Sequence, residues 1–228
     1  DDFNVARLER YLALAHDAMI TPVIVLTKAD QCKDPEAYCD QARQLGRDLD
    51  VIALDAKSDD VSAMLATWCG KGQTVALTGS SGVGKTTLAN ALTGGFAATR
   101  GIREDDAKGR HTTTGRSLHR ITDGGWLIDT PGMRGLGVAE VAYGIDATFP
   151  EISELAEQCK FRDCAHESEP GCAVQAAIAV GDVDPERLRR FQKLKRENAY
   201  ATETIAQARD RHRKLGKMYR SATKKKGR

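Results

Sequence analysis

The chain has 228 residues, of which 41% are hydrophobic and 29% are charged, and this length can bury the core of one large domain or two small ones. No apolar run approaches 18 residues, which excludes a transmembrane helix, and no secretory signal is visible. The chain begins at Asp1 rather than Met, so we expect a fragment of a longer protein. We also expect no membrane association.

Charge is distributed unevenly along the sequence. Residues 187–228 hold 16 Lys and Arg against three acidic residues, whereas the preceding part is net acidic. A basic tail of this kind is typical of binding to nucleic acid or to an acidic partner, and a solvated basic helix is the alternative. Six cysteines without a secretion signal do not indicate a disulfide framework, so we expect a reducing, cytoplasmic compartment.

The first part of the chain alternates between predicted strands and predicted helices. Short runs rich in β-branched residues predict buried strands at residues 22–27, 51–54, 73–78 and 126–129. Helices are predicted between them at residues 35–46, 60–69 and 86–92. This alternation predicts an α/β fold with a mainly parallel sheet.

The pattern changes near Phe149, after which we predict helices only. They cover residues 150–158 and 173–180, and a long helix begins at Pro185 with Leu188, Phe191 and Leu194 on one face. We therefore expect two domains, at residues 1–148 and 149–228, the second small, helical and ending in the basic tail.

The octapeptide after the third predicted strand fits the phosphate-binding sequence G-x-x-x-x-G-K-[ST]. Its glycines let backbone N–H groups converge on phosphate oxygens, and the next helix adds the partial positive charge of its N-terminus. Lys85 would bridge the β- and γ-phosphates, and the Thr86 hydroxyl would bind Mg²⁺. The residues assigned to the nucleotide are Gly79, Ser80, Ser81, Gly82, Val83, Gly84, Lys85, Thr86 and Thr87.

Two further motifs indicate that this nucleotide is GTP. Asp129-Thr130-Pro131-Gly132 supplies a carboxylate that can hold Mg²⁺ through water and a Gly132 N–H for the γ-phosphate. Thr27-Lys28-Ala29-Asp30 fits the guanine-reading motif [NT]-K-x-D, in which the Asp30 carboxylate accepts hydrogen bonds from N1–H and the exocyclic amine. Adenine lacks this pair of donors and leaves the acceptor unpaired. Each motif alone is also a good turn sequence.

The order of these motifs is permuted. Thr27–Asp30 precedes the phosphate loop, whereas in ordinary GTPases the guanine motif follows it. Because termini can move between surface loops without disturbing the sheet, we interpret the chain as a circularly permuted GTPase. Asp55 and Ala56 then take the place of the loop that backs the guanine, although Ser-Ala is the usual sequence there.

Residues 110–114 lie where the first switch of a GTPase belongs, and a hydroxyl there closes on Mg²⁺ and the γ-phosphate. We prefer Thr113 to Thr112 for this ligand. Met133 stands where Ras-like enzymes carry the glutamine that orients the attacking water, so hydrolysis is slow without a partner or uses another group. His111 is our candidate, with a structural or merely exposed histidine as the alternative. The predicted catalytic residues are therefore His111, Lys85 and Thr113.

Four metal-binding side chains occur within 14 residues: Cys159, Cys164, His166 and Cys172. Three thiolates and one imidazole suit a tetrahedral structural Zn²⁺ with no open position, one per chain. A small helical region gains stability from such a site. Buried or free cysteines are the alternative.

Together these features resemble the circularly permuted bacterial GTPases of small ribosomal subunit biogenesis, the RsgA/YjeQ family. The resemblance covers essentially the whole chain. It is carried by Asn4-x-x-Arg7-x-x-Arg10-Tyr11-Leu12, Thr27–Asp30, Gly79–Thr86, Gly109–Thr114, Asp129–Arg134 and the Cys159, Cys164, His166 and Cys172 spacing. It implies an N-terminal OB-fold, a permuted GTPase and a helical zinc domain, and we expect this chain to lack the first.

The resemblance also implies hydrolysis of GTP to GDP stimulated by the 30S subunit, a role in its late maturation, binding to 16S rRNA, and a catalytic histidine in the switch, which we place at His111. We expect a monomer. Two alternatives stay open. One is a nucleotide-binding assembly module with negligible hydrolysis, which Met133 favours because it cannot orient water. The other is a P-loop phosphotransferase that uses ATP, which Asp30 disfavours because its carboxylate matches guanine.

Overall fold

The computed structural model describes residues 3–58, 60–95, 117–129, 139–203 and 207. The chain divides into two compact units, one drawn from Asp1–Tyr11 and Thr21–Leu136 and the other from Leu12–Ile20 and Gly137–Arg228. The predicted domain boundary between residues 148 and 149 stays a prediction. The two compact units are defined by packing, and packing alone does not show which segments fold independently.

The first unit is built from strands followed by helices. Within the described residues its elements are α1 (Val5–Asp17, shared with the second unit), β1 (Val23–Leu26), a 3-10 turn (Ala29–Gln31), α2 (Pro35–Arg43), β2 (Asp50–Ala53), α3 (Val61–Cys69), β3 (Thr74–Ala76), α4 (Lys85–Thr93), β4 (Ser117–Arg120) and β5 (Trp126–Asp129). The four strands predicted from the sequence are confirmed, as are the three helices between them.

The strands form two sheets in the described part of the chain. β1 pairs in parallel with β2, with Ile24 opposite Val51, and β3 pairs in parallel with β5, with Val75 opposite Leu127. The parallel arrangement predicted from the alternation of strands and helices is confirmed. A buried core that includes Leu65 and Leu88 packs helices α3 and α4 against these strands.

Strand β4 was not predicted, and it pairs antiparallel to β5 at the edge of the second sheet. Its single apolar residue, Leu118, is 56% exposed, while Ser117 and His119 are half-buried and hydrogen-bonded to each other. The apolar alternation that identifies a strand is therefore absent from this segment.

Helix α1 was not predicted from its sequence either. Asn4 caps it, because the Asn4 side-chain oxygen accepts a hydrogen bond from the Arg7 backbone N–H at 2.9 Å. In the second unit the end of α1 packs closely on a glycine. A Cβ on Gly144 would lie 1.8 Å from the Ala13 carbonyl oxygen, so only glycine allows this approach.

The secondary structure elements among the described residues of the second unit are helices, joined by turns and loops. Its further elements are α5 (Ala142–Thr148), α6 (Pro150–Ala156), α7 (Ala173–Val180) and α8 (Pro185–Thr202). Leu188, Phe191 and Leu194 are buried on one face of α8, as predicted. No described helix combines the length and the apolar character that crossing a bilayer requires.

Candidate functional site

The phosphate loop connects β3 to α4, and α4 begins at Lys85. Gly82 and Gly84 have φ of 79° and 92°, which a side chain would strain. Gly84 is also the cap of α4, so the first N–H groups of that helix face the loop. This arrangement binds phosphate in many nucleotide sites.

The Lys85 ammonium lies within the loop. Its Nζ donates a hydrogen bond to the Gly79 carbonyl at 2.8 Å and another to the Ser80 carbonyl. The side chain of Thr86 is exposed beside it. These positions fit the predicted roles, in which the ammonium contacts phosphate oxygens and the hydroxyl contacts a magnesium ion.

A second segment, the turn that follows β1, contacts the phosphate loop directly. The Thr27 hydroxyl donates to the Val83 carbonyl at 2.5 Å, and the Lys28 ammonium donates to the Gly82 carbonyl at 2.9 Å. Asp30 lies exposed in the adjacent 3-10 turn. The predicted guanine motif and the predicted phosphate motif are therefore neighbours in space, although 48 residues lie between them in sequence.

The predicted guanine-backing loop follows β2 and lies beside the same turn. The Ala29 N–H donates to the Leu54 carbonyl at 3.3 Å, and Asp55 Oδ1 accepts from the Lys57 N–H at 3.0 Å. A cavity of about 310 Å³ is lined by Ala56, Lys57, Ser58, Val61, Ser62, Thr87 and Ala91. It joins two predicted nucleotide contacts, Ala56 and Thr87, whereas Asp30 and Lys85 are not part of its lining.

Several predicted residues lie outside the described part of the structure. They are His111, Thr112, Thr113, Thr130, Gly132, Met133 and the side chain of Asp129. The switch, the catalytic histidine and the carboxylate for magnesium therefore stay predictions.

The predicted metal ligands converge in the second unit. One ligand atom from each of Cys159, Cys164, His166 and Cys172 lies within 4.8 Å of the others. Cys159 Sγ is 3.8 Å from Cys172 Sγ, and His166 Nδ1 is 3.6 Å and 3.5 Å from these two sulfur atoms. Zinc–sulfur bonds of about 2.3 Å in a tetrahedron place sulfur atoms about 3.8 Å apart. The donor set therefore fits a tetrahedral metal ion.

The local environment shifts the pKa values of the metal ligands in different directions. Burial lowers the pKa of the His166 imidazole, which keeps the ring in its neutral, metal-binding form. Burial opposes ionisation of Cys159, but backbone N–H groups at the start of α7 and the neighbouring thiols outweigh it and lower the Cys159 pKa. Burial and neighbouring thiols raise the pKa of Cys164 to about 11, so its thiolate forms at neutral pH only with the help of a cation.

Three contacts at these sites were missed by reasoning from the sequence. The Arg7 guanidinium, on α1, donates to the Ser80 hydroxyl of the phosphate loop. In the loop between Cys164 and Cys172, the Glu169 carboxylate accepts a hydrogen bond from the Ala165 N–H, and the Gln175 side chain donates one to the His166 carbonyl. Arg7 is part of the motif that carries the family resemblance, but its target could not be read from spacing. Glu169 lies between two ligands, which is the one signal that could have marked it.

Comparisons with known proteins agree with this geometry. Residues 1–139 match the family model described as RsgA GTPase. The chain is 62% identical over 205 residues to the small ribosomal subunit biogenesis GTPase RsgA of Mesorhizobium japonicum, which covers 88% of this chain and 59% of that protein. It is 53% identical over 221 residues to small ribosomal subunit biogenesis GTPase RsgA 2 of Vibrio vulnificus, covering 96% of this chain and 63% of the relative.

Solved structures are similar over most of the chain. YloQ, described as a circularly permuted GTPase, aligns with a TM-score of 0.59 at 28% identity. The alignment covers 89% of this chain and 66% of the YloQ chain. YjeQ from Thermotoga maritima aligns with a TM-score of 0.56 at 25% identity, and the alignment covers 84% of this chain and 65% of the YjeQ chain. The chain thus spans about three fifths of the curated relatives named above. Since the family model matches more than half of its residues, the chain belongs to the RsgA GTPase family.

Proposed function

We propose that this chain hydrolyses GTP to GDP and phosphate in the late maturation of the small ribosomal subunit, and that the subunit stimulates the reaction. The observation that carries the proposal is the contact of the Thr27–Asp30 turn with the phosphate loop, through Val83 and Gly82. A base held at Asp30 and phosphates held at Lys85 then belong to one nucleotide. The names of the relatives, which are small ribosomal subunit biogenesis GTPases, supply the process.

In the proposed site, the loop N–H groups and Lys85 bind the phosphates, and Asp30 selects guanine over adenine. Mg²⁺, when bound, neutralises charge on the β- and γ-phosphate oxygens, and the hydroxyls of Thr86 and Thr113 are its proposed protein ligands. Gly132 contacts the γ-phosphate. Met133 occupies the position at which other GTPases carry the glutamine that orients the attacking water. His111 orients the water instead.

The proposed partners are GTP, GDP, the 30S subunit and its 16S rRNA. Support for RNA binding comes from α8, where Lys193 and Arg196 are exposed on the outward face. The inward face is held in the second unit, where the Arg187 guanidinium lies 4.6 Å from the Phe149 ring centroid and bonds the Thr148 carbonyl. Cations on a fixed helix suit phosphate binding. One structural Zn²⁺ in the Cys₃His cluster, a monomeric state and a cytoplasmic location complete the proposal.

Displacement of a fluorescent GDP analogue by GTP, GDP and ATP tests the nucleotide assignment. We expect GTP and GDP to compete and ATP to fail at concentrations up to a hundredfold higher, because adenine leaves the Asp30 carboxylate unpaired. Equal competition by ATP would favour a phosphotransferase and overturn the assignment of Asp30. Selective binding without hydrolysis at any subunit concentration would favour an assembly module.

A further inference from the structure

The loop between Cys164 and Cys172 carries its histidine ligand on an unusual backbone. His166 has a φ of 59°, in the left-handed region that residues with a side chain seldom occupy. The residue is nonetheless buried, with 8% of its surface exposed. Its Nδ1 atom points at the sulfur atoms of Cys159 and Cys172. A conformation that the chain disfavours is therefore held at the position where the fourth ligand is needed.

One carboxylate ties together the backbone on both sides of His166. Glu169 Oε1 accepts a hydrogen bond from the Ala165 N–H at 2.8 Å. Glu169 Oε2 accepts from the Glu167 N–H at 2.9 Å and from the Ser168 N–H at 3.1 Å. These hydrogen bonds, led by that of Ala165, lower the Glu169 pKa to about 2, so the group is a fully ionised acceptor at neutral pH.

A second side chain holds the same turn from helix α7. Gln175 Nε2 donates to the His166 carbonyl at 2.6 Å, and the Gln175 backbone N–H donates to Cys172 Sγ at 3.4 Å. One residue thus contacts two of the four ligands. Helix α8 adds a third tie, since Gln192 Nε2 donates to the Ala165 carbonyl at 2.9 Å.

We propose that Glu169 and Gln175 are positioning residues of the metal centre, which hold His166 in its left-handed conformation and thereby set the affinity of the Cys₃His cluster for its metal. The inference rests on the proposed metal site and adds to it the residues that shape the ligand loop. Neither residue is a ligand; each acts on the backbone that presents the imidazole. Groups that orient metal ligands commonly change metal affinity by about 10- to 100-fold.

The rival explanation is that Glu169 matters only as a negative charge near a cation. Glu167 allows the two to be separated, because it is also an acidic residue of the same loop and its side chain is exposed. Glu169→Gln and Glu167→Gln remove the same charge from nearly the same place. Only the first disrupts the hydrogen bonds of the loop backbone: the amide oxygen can keep the bonds of one carboxylate oxygen, but the NH₂ group in place of the other oxygen cannot accept a backbone N–H.

The test is titration of the metal-free full chain with Co²⁺, followed by competition with a chelator of known affinity, for wild type, Glu169→Gln and Glu167→Gln. Tetrahedral Co²⁺ bound by three sulfurs and one nitrogen absorbs visible light, and the spectrum changes if the nitrogen ligand is lost. We expect Glu169→Gln to weaken Co²⁺ and Zn²⁺ binding by at least about tenfold and to alter the spectrum. We expect Glu167→Gln to match wild type in both.

Gln175→Met provides a milder variant in case Glu169→Gln does not fold, because it removes one hydrogen bond and keeps a good helix former. It should weaken metal binding in the same direction. Wild-type affinity and spectrum in both Glu169→Gln and Gln175→Met would overturn the positioning role while leaving the metal site intact. Equal losses in Glu169→Gln and Glu167→Gln would assign the effect to charge. A wild-type chain that takes up neither metal would overturn the site and this inference together.

Discussion

The hydroxyl of Thr27 donates a hydrogen bond to the backbone carbonyl of Val83 at 2.5 Å, across 56 positions of sequence. Thr27 begins the proposed guanine motif and Val83 lies in the proposed phosphate loop. The bond shows that these two segments meet in the permuted chain. The two segments need to meet at the ends of their strands, and which of them comes first in the sequence does not affect that contact.

Removing this hydroxyl should weaken binding of GTP and GDP alike. Thr27→Val keeps the shape of the side chain but leaves the Val83 carbonyl without its donor, a loss of about 1 kcal/mol or roughly fivefold in affinity. Thr27→Ser retains the donor and should bind nearly as wild type. Titration with a fluorescent GDP analogue measures both variants. Equal affinities for Thr27→Val and wild type would show that the bond does not support the site.

Changing Asp30 should change which base is bound. In Asp30→Asn the amide nitrogen faces the donors of guanine, so GTP affinity should fall by about 10- to 100-fold. Xanthine carries a carbonyl in place of the exocyclic amine, so XTP should bind this variant better than GTP does. Asp50→Asn removes an exposed carboxylate of the same unit and serves as the control. A variant at Asp30 that still prefers GTP would contradict the assignment.

The contact between the Arg7 guanidinium and the Ser80 hydroxyl should be visible as energetic coupling. Lys85 contacts the same residue, because its ammonium donates to the Ser80 carbonyl. Arg7→Ala and Ser80→Ala should each weaken GDP binding, and the double variant should be less than additive by about 1 kcal/mol. The same cycle with Arg10→Ala is the comparison. Additive losses for Arg7 and Ser80 would show that the contact contributes nothing to nucleotide binding.

Glu169 should make the stability of the metal-free chain depend on acid. Its pKa falls from an ordinary 4.5 to about 2 in the folded loop, chiefly through the Ala165 N–H. A carboxyl with a depressed pKa stabilises the fold fully above its unfolded value and loses that contribution as the pH falls towards the folded value. The difference in unfolding free energy between wild type and Glu169→Gln should therefore be constant above about pH 4.5 and shrink between pH 4.5 and 2.

Denaturant unfolding in excess chelator at several pH values checks this prediction without interference from metal release. Glu167→Gln is the matched control, because it removes an exposed carboxylate of the same loop. A wild-type advantage over Glu169→Gln that persists undiminished at pH 2 would mean that the carboxylate is not the source of the stability.

The features that could be predicted were those that depend on residue types at short, fixed spacing. Gly82, Gly84 and Lys85 mark the phosphate loop because its conformation depends on residue type at fixed spacing. The metal ligands likewise lie within one short segment. In contrast, β4 went unpredicted because its apolar Leu118 faces outward at a sheet edge.

Contacts between distant segments could not be predicted in this way. Arg7 reaches Ser80 only after helix α1 has been placed, and Gln175 reaches the His166 carbonyl only because that residue adopts a left-handed turn. Both contacts depend on backbone geometry that tertiary packing determines. An arginine or a glutamine at these positions does not by itself indicate its partner.

The central claim is tested most directly by GTP turnover with and without purified small ribosomal subunits, with ATP in parallel and Lys85→Ala as the control for contaminating hydrolases. Lys85→Ala removes the ammonium from the phosphate loop and should abolish turnover. We predict GTP hydrolysis by wild type that exceeds this control and rises when subunits are added, with no comparable use of ATP. A wild-type rate equal to that of Lys85→Ala in the presence of subunits would contradict the account.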